Sequence, residues 1–245
     1  MPAGNRRQKQ SLVFGSLFVL FSYFRFSWWR KLGRQAATAS GAETLAVIAG
    51  KTKLNMNLPN FDIKPNGEIS NEFLERNILT FKSATDFITK LNYGRNADKN
   101  DLKTLFADNC GTCSTKHALL KQLADENGFE EIKLVIGIFK MNSKNTSEIS
   151  QTLKRNKLEF MPEAHNYLKY KNAIFDFTKV GAKPSDFEND LIEEIEILPK
   201  QISSFKVEYH KKHLQDWLEK NEDIKFDLDE LWKIREECIG DLARN

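Results

Sequence analysis

The sequence predicts an α+β domain, and three observations predict it. Amphipathic helical periodicity dominates the chain up to residue 127. A nearly continuous apolar, β-branched run follows at 132–140, with two further strand-like runs behind it. Helical periodicity then returns toward the C-terminus. At 245 residues, 40% of them hydrophobic and 29% charged, the chain suffices for one soluble domain with a sizeable core plus an appendage.

The domain is expected over 56–245. Residues 56–69 are turn-rich, with Pro59, Pro65 and Gly67. Amphipathic helices are expected at EFLERNILTF (72–81), at SATDFITKL (83–91) with Ser83 as N-cap, and at NDLKTLF (100–106) with Asn100 as cap. Gly94, in LNYGRN, is a natural helix stop. A helix over about 113–127 carries Leu119, Leu120, Leu123 and Ala124 on one stripe and ends at Gly128. IKLVIGIFK (132–140) reads as a buried central strand, and 145–155 as a connecting helix. AHNYLKY (164–170) and AIFDFT (173–178) read as strands joined tightly through Lys171 and Asn172. In the helical tail, Leu214, Trp217 and Leu218 share a stripe, and Asp227 with Glu230 forms a capping box.

Residues 1–55 look foreign to this domain. The run SLVFGSLFVLFSYF (11–24) is apolar, and basic residues flank it on both sides. A membrane anchor through 11–29, a targeting segment and an extension irrelevant to the working protein all fit it. The domain itself is expected in the cytoplasm, or anchored or exported if the segment acts.

Charge excludes one class of partner. Residues 1–42 hold seven Lys and Arg and no Asp or Glu, so a net charge of +3 leaves the remainder at about −4. No basic stripe laced with aromatics is present, and nucleic acid is not an expected ligand. Three cysteines, Cys110, Cys113 and Cys238, are too few for a disulfide framework and suit a reduced compartment. Cys238 reads as a small packing residue.

Two of the cysteines form C-x-x-C in NCGTCSTKHALL (109–120), and three chemistries compete for them. A thioredoxin-like redox pair needs an apolar strand running into the motif, whereas NADKNDLKTLFADN is polar and helix-like. A metal site would take Cys110, Cys113 and His117 with His165 or Cys238, but the second ligand pair of the usual zinc spacings is absent. No metal or other cofactor is therefore expected. A nucleophile is the third reading: a thiol opening a helix is favoured as thiolate by the helix dipole and the free N–H groups there. Cys113 stands at that position. His210 and His213 share a helix face without further ligands and read as solvated.

The nucleophile needs a base and an orienting group, and His165 and Asp176 can supply them. If Lys171 and Asn172 form a two-residue turn, Tyr170 faces Ala173 and His165 faces Thr178. Asp176 then points to the same side as His165, one diagonal step away. An aspartate facing water from an edge strand is the plain alternative.

This arrangement resembles the transglutaminase-like branch of the papain-type fold, through GTCSTKHALLKQLADENG, EAHNYL and NAIFDFT in the order Cys, His, Asp. YGRN, GTCSTKHALL, PEAHNYL and D-x-T together also look like a family of small bacterial proteins of unassigned function, over roughly 70–240. The resemblance implies a cysteine helix packed on an antiparallel sheet and a cysteine hydrolase, peptidase or acyltransferase acting on a peptide, protein or small amide. A catalytically idle binding module of the same fold is the rival. Arg95 as a carboxylate clamp, Asn96 beside it, and Asn109 as a second oxyanion donor complete the candidate site. Two departures stand out: the His–Asp interval is only 11 residues, and Tyr167 stands where relatives often carry Trp.

Overall fold

The computed structural model describes residues 57–242. The 1–55 extension, with the apolar run at 11–24 and the candidate anchor through 11–29, lies outside them. Among the described residues no helix is long and apolar enough to cross a membrane.

The architecture is α+β. Helices α1 (Glu68–Glu75) and α2 (Phe81–Lys90) lead to a short strand β1 (Asn92–Tyr93), then α3 (Thr104–Asp108) and β2 (Cys110–Gly111). The cysteine helix α4 (Cys113–Glu126) follows. Next come β3 (Ile132–Asn142), α5 (Ser150–Arg155), β4 (Phe160–Tyr170), β5 (Ala173–Phe175) and β6 (Leu191–Ile197). Helices α6 (Ser204–Glu219) and α7 (Leu228–Leu242) end the chain. The main sheet is antiparallel, in the order β5-β4-β3-β6.

Alternation along the two central strands gives the sheet two apolar faces. Leu134, Ile136 and Ile138 of β3 join Ala164 and Leu168 of β4 in one core with α1, α2 and α4. Val135, Phe139, Met161 and Tyr167 point the other way, into a core with Leu153, Leu214, Leu231 and Cys238 from α5, α6 and α7. Each fully buried Leu of α4 contributes about 1.5–3 kcal/mol of transfer free energy to the first core.

Several boundaries differ from expectation for local reasons. EFLERNILTF is not one helix: α1 ends at Glu75, and Asn77 turns the chain with φ 57° before α2. The cap of α2 is Thr80. Ser83 is its reciprocal partner, returning a bond to the Thr80 N–H (3.1 Å). Asn100 caps nothing, because α3 starts only at Thr104, and Gly94 lies past the end of α2. β4 begins four residues early and includes Pro162, tolerated because that edge of β4 has no strand partner. β6, LIEEIEI, went unassigned because its glutamates mask a strand in which Leu191, Ile195 and Ile197 pack against the cores while Ile192 stays exposed. The Asp227–Glu230 capping box forms as expected.

Two features place the site. The Lys171–Asn172 turn sets Tyr170 against Ala173, as the spacing predicted. β5 then pairs only with Leu168–Tyr170, so Phe160–Tyr167 of β4 form an open edge, and α4 and α6 pack on this strand.

Candidate active site

Cys113 is the first residue of α4. Thr112 caps the helix and forms a capping box with Thr115: the Thr112 N–H donates to Thr115 Oγ1 (3.0 Å) and the Thr115 N–H to Thr112 Oγ1 (3.4 Å). The thiol is 8% exposed and sits among the helix's unsatisfied first-turn donors.

His165 and Asp176 meet beside it. The imidazole Nε2–H donates to Asp176 Oδ2 (2.9 Å), and Asp176 Oδ1 accepts the Thr178 N–H (2.9 Å). β5 has ended at Phe175, so the aspartate is held by its own turn and not by the strand ladder expected from the sequence. The ring of His165 is wedged edge-on against Phe187 (centroids 4.8 Å apart), with Phe139 and Tyr167 nearby. The Tyr167 hydroxyl is anchored on Glu194. With Nε2 committed to Asp176, Nδ1 is the nitrogen left to face the sulfur.

The charges reinforce one another. Burial alone would raise the Cys113 pKa, but Lys206, His165 and the backbone N–H of Asn166 lower it to about 6. Burial would likewise lower that of His165, yet Asp176 and Cys113 raise it to about 10. Burial also works against the Asp176 carboxylate, and His165 nevertheless holds it well below the usual range. The two shifts together favour a thiolate beside an imidazolium.

Lys206 is the residue the sequence did not point to. It is 8% exposed, and its ammonium donates to Asn166 Oδ1 (2.7 Å) and Ser114 Oγ (2.8 Å), with Cys113 Sγ at 3.9 Å. Its hydrogen-bonded oxygens are neutral, and the anions that feel its charge are the Cys113 thiolate and the buried Glu163 carboxylate. A signal was present: Lys206, His210 and Leu214 recur every four residues on the buried face of α6.

Two more polar residues hold the frame together. His117 is fully buried; its Nδ1–H donates to the Cys113 carbonyl (2.7 Å), and its Nε2 accepts the Phe177 N–H (2.7 Å). Burial foremost keeps it neutral, with a pKa lowered to about 4. Lys116, also fully buried, donates to the carbonyls of Leu91 (2.6 Å) and Thr178 (2.7 Å). Both residues tie the start of α4 to the segment carrying Asp176.

A cavity of about 510 Å³ opens onto Cys113. Arg95 and Asn96 line it, Arg95 paired with Glu236 and Asn96 donating to the Cys110 carbonyl (2.9 Å). Asn109 does not line it: it is exposed and ends α3 in a left-handed conformation (φ 50°). Tyr93 and Glu163, which the sequence offered only as members of the YGRN and PEAHNYL motifs, also face the cavity, as does Arg235. Arg235 grips Glu163 through Nε (2.7 Å) and Nη2. His210, expected in solvent, is buried and donates from Nε2 to the Pro162 carbonyl (2.8 Å), because α6 lies along the open edge of β4.

The other cysteines differ from Cys113. All three are free thiols. Burial and then Asp108 raise the pKa of Cys110, and burial foremost pushes Cys238 up to about 12. Among the described residues, no group of three or more His, Cys, Asp and Glu side chains is placed to hold a metal ion. The chain matches no protein-family model, no curated protein and no solved structure.

Proposed function

We propose that the protein is a cysteine-dependent amide or ester hydrolase, or acyltransferase, of transglutaminase-like fold, with Cys113 as nucleophile, His165 as acid and base, and Asp176 as the group that orients the imidazole. The observation that carries this reading is the His165–Asp176 bond at 2.9 Å, set beside a cysteine at a helix start whose pKa is lowered to about 6.

The Cys113 thiolate attacks the substrate carbonyl carbon, forming a C–S bond and moving the π electrons onto oxygen. The Cys113 N–H, unsatisfied at the helix start, donates to that oxyanion. Collapse breaks the C–N or C–O bond as His165 delivers its proton to the leaving atom. His165, now neutral, takes a proton from water attacking the thioester, which releases the acid and restores the ion pair. An amine in place of water gives transfer.

The test is turnover of a panel of chromogenic amides and esters by wild type, Cys113→Ala and Cys110→Ala. Loss in Cys113→Ala with retention in Cys110→Ala is expected. Activity surviving Cys113→Ala overturns the proposal. A wild type that labels at Cys113 yet turns over nothing favours the idle binding module.

A further inference from the structure

The cations around the cavity are not equivalent. Arg235 directs Nε and Nη2 at Glu163 and Nη1 at Glu236. Lys206 is saturated by Ser114, Asn166 and the sulfur. The remaining two cations stand on the 95–100 loop that forms one wall of the cavity. Arg95 meets Glu236 through Nη2 alone, and Lys99 makes no ion pair among the described residues. Asp98, the acid of that loop, accepts the Asn100 N–H (2.8 Å). Burial lowers the pKa of Lys99, and Lys206, Arg95 and Arg235, felt as like charges, lower it further. Such a wall favours an anion that several donors can share.

Asn96 fixes this loop: its Nδ2 donates to Asp108 and to the Cys110 carbonyl. The cavity, at about 510 Å³, is the size of a small-molecule or peptide-end site.

Resting on the nucleophile assigned above, we propose that the cleft selects small amide substrates bearing a carboxylate, held by Arg95 and Lys99.

Alkylation by iodoacetate and by iodoacetamide tests this on the full chain, with modification of Cys113 located by mass spectrometry. The two reagents differ in one carboxylate, so their rate ratio cancels changes in thiolate content. A ratio at least about tenfold above that of a free cysteine peptide is expected at low salt, saturating with iodoacetate. In Lys99→Gln and Arg95→Gln the ratio should fall several-fold toward the free-thiol value. A wild-type ratio equal to that of the peptide overturns the proposal, as does a raised ratio unchanged in both variants. Iodoacetamide reacting at Cys113 no faster than with the peptide defeats instead the activated nucleophile, so the two failures are distinguishable.

Discussion

The ammonium of Lys206 lies 3.9 Å from the sulfur of Cys113, and the two residues are 93 positions apart in the chain. A buried ammonium and a buried thiolate are each costly to desolvate; placed together, each offsets the desolvation of the other. His165 and Asp176 repeat the arrangement on the other side of the sulfur. Four charges of alternating sign result.

Lys206→Met tests the first half of that array. The substitution keeps the length of the side chain and removes its charge. The pH midpoint of Cys113 alkylation should move from about 6 toward the ordinary thiol value near 9. An unmoved midpoint would reduce Lys206 to a packing role.

Asp176→Asn tests the second half. Losing the carboxylate lowers the pKa of His165 from about 10 and frees the ring to change tautomer. Turnover should fall roughly 10³–10⁴-fold, the scale seen when a catalytic histidine loses its orienting aspartate. Full activity in this variant would show that the 2.9 Å bond has no part in catalysis.

Stability should depend on pH through the two buried neutral histidines and, above about pH 6, through the Cys113 thiolate as well. Burial lowers His117 and His210 to about 4 from an unfolded value near 6.5. Between those values the unfolded chain binds more protons, so stability falls as the pH drops from about 6.5 to 4. Urea midpoints at pH 7 and pH 5 should show this loss, and His210→Gln should reduce it. An equal pH dependence in that variant removes His210 from the account.

Gly137→Ala probes the sheet behind His165. A Cβ there would lie 2.7 Å from the Tyr167 hydroxyl and 2.7 Å from Leu191 Cδ2. Either the tyrosine leaves Glu194 or β6 shifts, with an expected loss of about 1–3 kcal/mol in denaturant unfolding. An unchanged midpoint would mean that the Leu191 and Tyr167 side chains give way without cost.

How much of this was legible in the sequence depends on how local each constraint is. The pairing of Tyr170 with Ala173 follows from a two-residue turn and the period of two, so His165 and Asp176 could be brought together by counting. β5 stops before Asp176, and the N–H of Thr178 that holds the carboxylate belongs to a turn no periodicity announces. Lys206, Arg235 and Glu236 reach the cleft from the C-terminal helices, and only tertiary packing decides which face of α6 and α7 meets it. From the sequence His117 is a candidate metal ligand, and it and Lys116 otherwise read as core or rim residues of the helix. Their burial follows from α4 being enclosed on nearly every side, which a single apolar stripe understates.

Cys113 labelling by iodoacetamide, followed from pH 4 to 9, tests the ion pair most directly. Reaction rising through a midpoint near 6, and moving upward in His165→Ala, is the predicted result. A midpoint near 9 in the wild type, with His165→Ala indistinguishable from it, would contradict the account.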